Sequence, residues 1–294
     1  MLDRIRVAAA GVDTKPGEQA ENVRKIERGA VKAAEQGAQL VLFPELSLTG
    51  FIPNHPTGNH EKWLREALSL SRRFAIPLNH SSIEQLTKTA AAKEILIAVG
   101  ILEDAGNLLY NAQLLIGPTG IVGHWRKLHV PMFEMPFYNG GDSLSVAQTP
   151  LGRIGTNICF DVLLPESTRL LAVQNVEIVL MPFAADPPPC TPAGWASWAS
   201  TAIKSRAVEN GVFVVASNYV GEVECAGVKQ SFPGGGMIVS PRGDVMADWT
   251  APASEPGMII ADLHQSDLSA ARSEPEYLFR FRRPELYGPL SKRD

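Results

Sequence analysis

Short apolar runs typical of strands alternate with amphipathic segments typical of helices along the whole chain. Residues 4–12 alternate as a strand does, and residues 19–36 place small and apolar side chains at helical spacing before Gly37. The second half repeats this order, with a strand predicted at 152–159 and a helix at 165–174. Alternation of this kind predicts an α/β fold.

Neither length nor composition divides the chain into parts. Its 294 residues contain no fixed-period repeat and no long linker, so we expect a single domain over residues 1–294. Hydrophobic residues make up 45% and charged residues 20%, which excludes a disordered chain. With Lys+Arg 27 and Asp+Glu 31, the net charge is −4, so no nucleic-acid partner and no binding to an anionic membrane are expected.

Location and cofactors follow from what the sequence lacks. No apolar stretch approaches the ~20 residues of a membrane helix, and the N-terminal run is too short for a secretory signal. Cys159, Cys190 and Cys225 form an odd, sparse set, which indicates reduced thiols and a cytoplasmic protein. The six histidines show no metal-binding spacing, so neither a metal nor another cofactor is predicted.

Three reactive side chains follow predicted strands at the edge where α/β sheets collect their ligands: Glu45, Lys127 and Cys159. Cys159 stands just before a predicted helix, and a thiol near a helix N-terminus has a lowered pKa and reacts as a nucleophile. Each residue also has an ordinary structural interpretation. A free cysteine is usually buried and inert, a lysine at a strand end is usually solvated, and a glutamate there can form a salt bridge.

Two further motifs are weak. Residues 141–144 (Gly-Asp-Ser-Leu) match a tetrapeptide of a serine-esterase family, with Ser143 as nucleophile, but they lie mid-chain, whereas that family has them near the N-terminus. The glycine run 234–236 lacks the helix and Lys-Ser/Thr of a phosphate loop and indicates close packing or a bend.

Taken together, three segments resemble the signature blocks of the nitrilase superfamily of carbon–nitrogen hydrolases, in the same order and at similar intervals: FPELSLTGF (43–51), RKLHVP (126–131) and NICFDVLLPE (157–166). Further blocks extend the resemblance over nearly the whole chain. It implies an αββα four-layer sandwich that forms a homodimer or a higher homo-oligomer. The segment from about residue 274 onward, rich in arginine and aromatic residues, is expected at a subunit interface.

The resemblance also implies a catalytic triad of Glu45, Lys127 and Cys159. Glu45 would act as general base, Cys159 would attack the carbonyl carbon to form a thioester, and Lys127 would hold the oxyanion together with the Phe160 N–H. Glu134 would be the second glutamate of the family, because it is the only carboxylate in the interval where that residue falls.

The residues after Cys159 bear on the substrate. Phe160-Asp161 replaces the Trp-Glu of typical nitrilases. Val162, Leu163 and Leu164 follow with no cation among them, which disfavours a substrate carboxylate unless Arg206 or a loop lysine reaches the site. We therefore predict an amidase acting on a small neutral carboxamide, with an N-carbamoyl amidohydrolase as the alternative, a nitrilase ranked below both and a silent binding protein disfavoured by the intact triad. The predicted substrate-binding residues are Phe160, Phe183, Ala184, Ala185 and Trp195. Core packing explains the tryptophan equally well.

Overall fold

Strands and helices alternate along the chain in the computed structural model, which describes residues 1–54, 59–250 and 256–292. The strands are β1 (Arg4–Ala10), β2 (Leu40–Leu42), β3 (Leu96–Asp104), β4 (Leu109–Gly117), β5 (Gly120–Arg126), β6 (Ala147–Thr149), β7 (Gly152–Thr156), β8 (Ile178–Phe183), β9 (Phe213–Asn218), β10 (Val220–Cys225), β11 (Val228–Pro233), β12 (Gly236–Val239), β13 (Val245–Trp249) and β14 (Met258–His264). The helices are α1 (Gln19–Glu35), α2 (His60–Phe74), α3 (Ser81–Lys93), α4 (Pro165–Ala172), α5 (Pro192–Asn210) and α6 (Gln265–Ser273). Within these ranges, no helix is long and apolar enough to cross a membrane.

Most strands belong to two six-stranded sheets. The first has the order β14-β1-β2-β3-β4-β5 and the second β13-β12-β9-β8-β7-β6, while β10 and β11 form a separate hairpin. In the first sheet β1, β2 and β3 run parallel, and two antiparallel steps through β4 bring β5 back to the same direction. The carboxyl ends of β2 and β5 therefore lie at one edge of the sheet.

The sheets stack face to face between two layers of helices. On β1, Val7 packs toward the second sheet, while Ala8 packs in the core formed with α1 and α3. On β8, Leu180 faces the first sheet and Val179 packs in the core formed with α5. Side chains that alternate along a strand point to opposite faces, so apolar residues on both faces bury both sides of each sheet. The predicted αββα four-layer sandwich is confirmed.

Two details differ from the sequence prediction. The strand predicted to reach Cys159 ends at Thr156, because Cys159 has a φ of 49° and opens a 3-10 turn over Cys159–Leu163. The hairpin β10–β11 was not predicted, although its apolar residues alternate on both sides of the turn at 226–227. The predicted close packing at the glycine run is confirmed, since a Cβ on Gly235 would lie 2.5 Å from the Trp195 ring.

Candidate active site

Glu45 lies wholly buried just beyond β2. Its Oε1 accepts hydrogen bonds from Lys127 Nζ at 2.8 Å and Asn111 Nδ2 at 2.6 Å, and its Oε2 accepts one from the Ala184 N–H at 2.8 Å. The Ala184 bond links the first sheet to the end of β8 in the second. A carboxylate held from three directions keeps one orientation, as a positioned acid–base group requires.

Gly100 on β3 lets the Glu45 segment approach this closely. A Cβ at Gly100 would lie 2.2 Å from the Leu46 nitrogen and 2.8 Å from the Glu45 carbonyl carbon. Leu46 itself has a φ of 52°, a left-handed conformation that is strained for a residue with a side chain. The absent side chain of Gly100 and the left-handed backbone of Leu46 together let the Glu45 backbone lie directly against β3.

Lys127 is also wholly buried, directly after β5. Besides Glu45, its Nζ donates to Glu134 Oε2 at 2.7 Å, so one ammonium bridges two carboxylates. Burial alone would lower the pKa of Lys127, but the charges of Glu134 and Glu45 outweigh it and raise the pKa well above its ordinary value. Lys127 is therefore a fixed positive charge and not a base at neutral pH.

Cys159 opens the 3-10 turn after β7, and 8% of its surface remains exposed. Burial, together with the negative charge of Glu45, raises the pKa of its thiol well above the ordinary value. The prediction of a lowered pKa from the nearby helix N-terminus is wrong, because desolvation outweighs any effect of the short turn. The resting thiol is protonated, so its reaction needs a base.

The Asp161 carboxylate connects the Cys159 turn to the chain beyond Lys127. It accepts hydrogen bonds from the Ile158 N–H at 3.1 Å, the Leu128 N–H at 3.3 Å and the His129 N–H at 2.8 Å. The His129 ring contributes a further contact, with Nδ1 at 2.8 Å from Asp161 Oδ1. Because Asp161 is 2% exposed, these bonds are sheltered from water and hold the two segments together.

The predicted substrate-binding residues differ in how deeply they are buried. Phe160 is 36% exposed and Ala185 is half-buried, with its N–H and carbonyl oxygen both bonded to the Asn218 side chain at 2.9 Å. Ala184 is 9% exposed and holds Glu45 through its N–H. Phe183 and Trp195 are 1% and 0% exposed and pack edge to face in the core against α5. Neither of these two rings borders accessible space.

Sequence reasoning missed Asn111 and the bonding role of Asp161. Asn111 lies on β4, where a buried amide inside an apolar strand needs a polar partner, and the alternation of Asn111 and Gln113 in LYNAQLLIG was the available signal. Ser143, the nucleophile of the weak esterase motif, is exposed. The described residues contain no cluster of His, Cys, Asp or Glu that could hold a metal ion.

Glu134→Gln is expected to change how stability depends on pH. Burial raises the pKa of Glu134 from 4.5 to about 7, although Lys127 opposes the shift. The folded state then binds a proton more tightly than the unfolded state, so this stabilising contribution is complete below about pH 4.5 and is lost as the pH rises to about 7. Thermal midpoints measured from about pH 4.5 to 8 should show the wild type losing stability relative to Glu134→Gln over that range. The exposed Glu35→Gln is the matched control; a difference that stays constant, or that grows in favour of the wild type as the pH rises, would contradict the assignment.

Comparison with known proteins identifies the family. The carbon-nitrogen hydrolase family model matches residues 6–273. A nitrilase of Pyrococcus abyssi is 30% identical over 284 residues, covering 96% of this chain and 99% of that protein. An N-carbamoylputrescine amidase of Arabidopsis thaliana is 30% identical over 288 residues, covering 93% and 91%. The structure of an amidase from Nesterenkonia sp. has the same fold, with a TM-score of 0.76 at 22% identity over 97% of this chain and 96% of the other. The chain therefore belongs to the carbon-nitrogen hydrolase family, within the nitrilase superfamily, and is a hydrolase of carbon–nitrogen bonds other than peptide bonds.

Proposed function

We propose that this protein is an amidase that hydrolyses a small carboxamide through a thioester on Cys159. The observation that carries the proposal is the buried Lys127 ammonium, at 2.8 Å from Glu45 and 2.7 Å from Glu134. An ion cluster that is wholly buried adds little to stability compared with apolar packing, so a functional role accounts for it better.

In the first half-reaction, Glu45 takes the proton of the Cys159 thiol as the sulfur attacks the carbonyl carbon. The negative charge that forms on the carbonyl oxygen is stabilised by the Lys127 ammonium and the Phe160 N–H. The tetrahedral intermediate collapses when the C–N bond breaks, and Glu45 returns the proton to the leaving nitrogen. Ammonia or an amine departs, and the acyl group remains on sulfur as a thioester.

In the second half-reaction, Glu45 takes a proton from water while the water oxygen attacks the thioester. The same oxyanion site holds the second tetrahedral intermediate. The C–S bond then breaks, the thiol recovers its proton from Glu45, and the carboxylic acid leaves. Glu134 would orient substrate or water and help to keep Lys127 charged. Glu45 can gain and lose a proton in both half-reactions, because Lys127 beside it keeps its own proton throughout.

The surroundings of Cys159 favour a neutral substrate. Val162 and Leu163 follow where an arginine would be needed to bind a substrate carboxylate, and Phe160 and Ala185 border the accessible side. The likeness to an N-carbamoylputrescine amidase supports N-carbamoyl amine hydrolysis, which yields an amine, carbon dioxide and ammonia, as the second candidate. The likeness to a nitrilase keeps nitriles as a third class of compound to test.

Ammonia release from a substrate panel tests the proposal. The panel contains aliphatic and aromatic amides, N-carbamoyl amines, N-carbamoyl amino acids and nitriles, with Glu45→Gln as the inactive control. Turnover of amides that is lost in Glu45→Gln is the expected result. Faster turnover of carbamoyl amines with carbon dioxide formed would establish the second candidate, and turnover of nitriles alone would overturn the proposal.

We also propose that the single domain forms a homodimer or larger homo-oligomer through the segment from about residue 274. Apolar side chains on this segment are exposed in the single chain, with Leu278 at 52%, Phe281 at 65% and Leu290 at 71%. Sedimentation velocity should find a dimer or larger species for the wild type and a smaller one for Phe281→Asp. A monomeric wild type at micromolar concentration would contradict this proposal.

The three free thiols support a reducing, cytoplasmic location. Cys190 is an exposed free cysteine, and an exposed thiol stays reduced most easily in a reducing compartment. Fractionation of the native cells, followed by immunodetection, tests this location directly.

A further inference from the structure

A buried tyrosine lies beside the charged centre. Tyr138 is 5% exposed, and its N–H donates to the carbonyl oxygen of Glu134 at 3.2 Å. Its ring belongs to the apolar cluster that also contains Leu46 and Ala184, which flank the Glu45 carboxylate. Tyr138 therefore belongs to the apolar cluster that borders the general base proposed above.

The hydroxyl of Tyr138 has no hydrogen-bond partner among the residues that the structure describes, and it is not one of the fully enclosed polar atoms. A buried tyrosine usually finds a partner for its hydroxyl, as Tyr219 does with Thr14 Oγ1 at 2.7 Å and the Thr14 carbonyl oxygen at 2.5 Å. Both tyrosines belong to the same apolar cluster, and only Tyr138 has a hydroxyl without a partner in the described part of the chain.

The charged groups of the site also act on the phenol of Tyr138. Burial raises the pKa of Tyr138 well above its ordinary value, and the charges of Glu134 and Glu45 raise it further while Lys127 opposes them. The phenol therefore stays protonated at neutral pH, and it makes no hydrogen bond to the Glu45–Lys127–Glu134 cluster. A protonated phenol can donate one hydrogen bond and accept others, which suits a planar group that carries both N–H and C=O.

We propose that the Tyr138 hydroxyl binds the substrate by hydrogen-bonding to its planar N–C=O head group, either a carboxamide or a ureido group. The inference rests on the proposed function, because it assigns a specificity-determining contact to the same site. The free hydroxyl would exchange water for such a group when a substrate binds beside Glu45 and Glu134. Its role is to orient the head group, while Lys127 and the Phe160 N–H stabilise the oxyanion.

The test compares two thiol reagents on the Cys159 sulfur. Iodoacetamide carries a carboxamide, whereas methyl methanethiosulfonate carries none, and mass spectrometry of the Cys159 peptide reports each rate in a Cys190→Ser background. Tyr138→Phe, which removes only the hydroxyl, is expected to slow iodoacetamide labelling by about three- to tenfold, the worth of one hydrogen bond, and to leave methanethiolation unchanged. With any amide or carbamoyl amine that is turned over, KM should rise by a similar factor.

Tyr219→Phe is the matched control. Its hydroxyl is bonded within the fold, so its removal should lower the thermal midpoint and leave the ratio of the two labelling rates unchanged. Tyr138→Phe should keep its thermal midpoint, because no bond is lost. An unchanged labelling ratio in Tyr138→Phe, or a loss of stability equal to that of Tyr219→Phe, overturns the inference. Labelling needs no turnover, so a changed ratio with no active substrate in the panel would support the inference while the proposed function fails.

Discussion

Cys159→Ala is expected to abolish hydrolysis of every active compound in the panel, with kcat/KM lower by roughly 10^4-fold or more, as for the removal of other covalent nucleophiles. The loss is this large because neither Glu45 nor Lys127 can form the thioester in place of sulfur. The thermal midpoint should change little, because the substitution removes one buried sulfur atom and no hydrogen bond to a charged group. Initial-rate measurements together with scanning calorimetry check both parts.

Cys190→Ala is the control for this experiment, since it removes an exposed thiol and should retain full activity. An acyl-thioester trapped by acid quench and located by mass spectrometry on the Cys159 peptide would support the mechanism independently. Activity that persists in Cys159→Ala would contradict the mechanism, and Ser143 would then be the alternative nucleophile to test.

Lys127→Met is expected to cost both activity and stability. It removes the cation between Glu45 and Glu134 and leaves two carboxylates at 0% and 4% exposure without a counter-charge. Breaking a buried ion pair in this way typically lowers the free energy of unfolding by about 3–5 kcal/mol. Hydrolysis should also fall below detection, because the oxyanion loses its charged partner. Denaturant unfolding and the ammonia assay measure the two losses.

The pH dependence of Lys127→Met identifies the cause of its instability. Lys127 opposes the raised pKa of Glu134, so without the cation that pKa rises further, and the folded variant binds a proton and regains stability as the pH falls. Adding Glu134→Gln to Lys127→Met should recover part of the lost stability, because one unpaired charge disappears. The exposed Lys93→Met is the control and should match the wild type. A Lys127→Met variant as stable as the wild type at pH 7.5 would contradict the buried ion cluster.

Local patterns were sufficient for most of the fold. The spacing of Val23, Ile26 and Ala30 predicted the buried face of α1, and the run around β2 predicted a buried strand. These predictions succeed because each element buries the face that its own residues make apolar. The hairpin β10–β11 could have been predicted from the same alternation of apolar residues. The end of β7 could not, because the left-handed φ of Cys159 depends on the surrounding structure.

The sequence by itself determined which chemical groups this protein has: a carboxylate, a lysine and a thiol, each just after a strand, in blocks that identify the family. Only the tertiary structure decided how those groups behave. It buries Lys127 between Glu45 and Glu134, raises the pKa of Cys159 where the helix position predicted the reverse, and encloses Trp195 in the core. The reason is physical, since desolvation and charge–charge interaction depend on which residues meet in space, and residues far apart in sequence meet only when the two sheets pack.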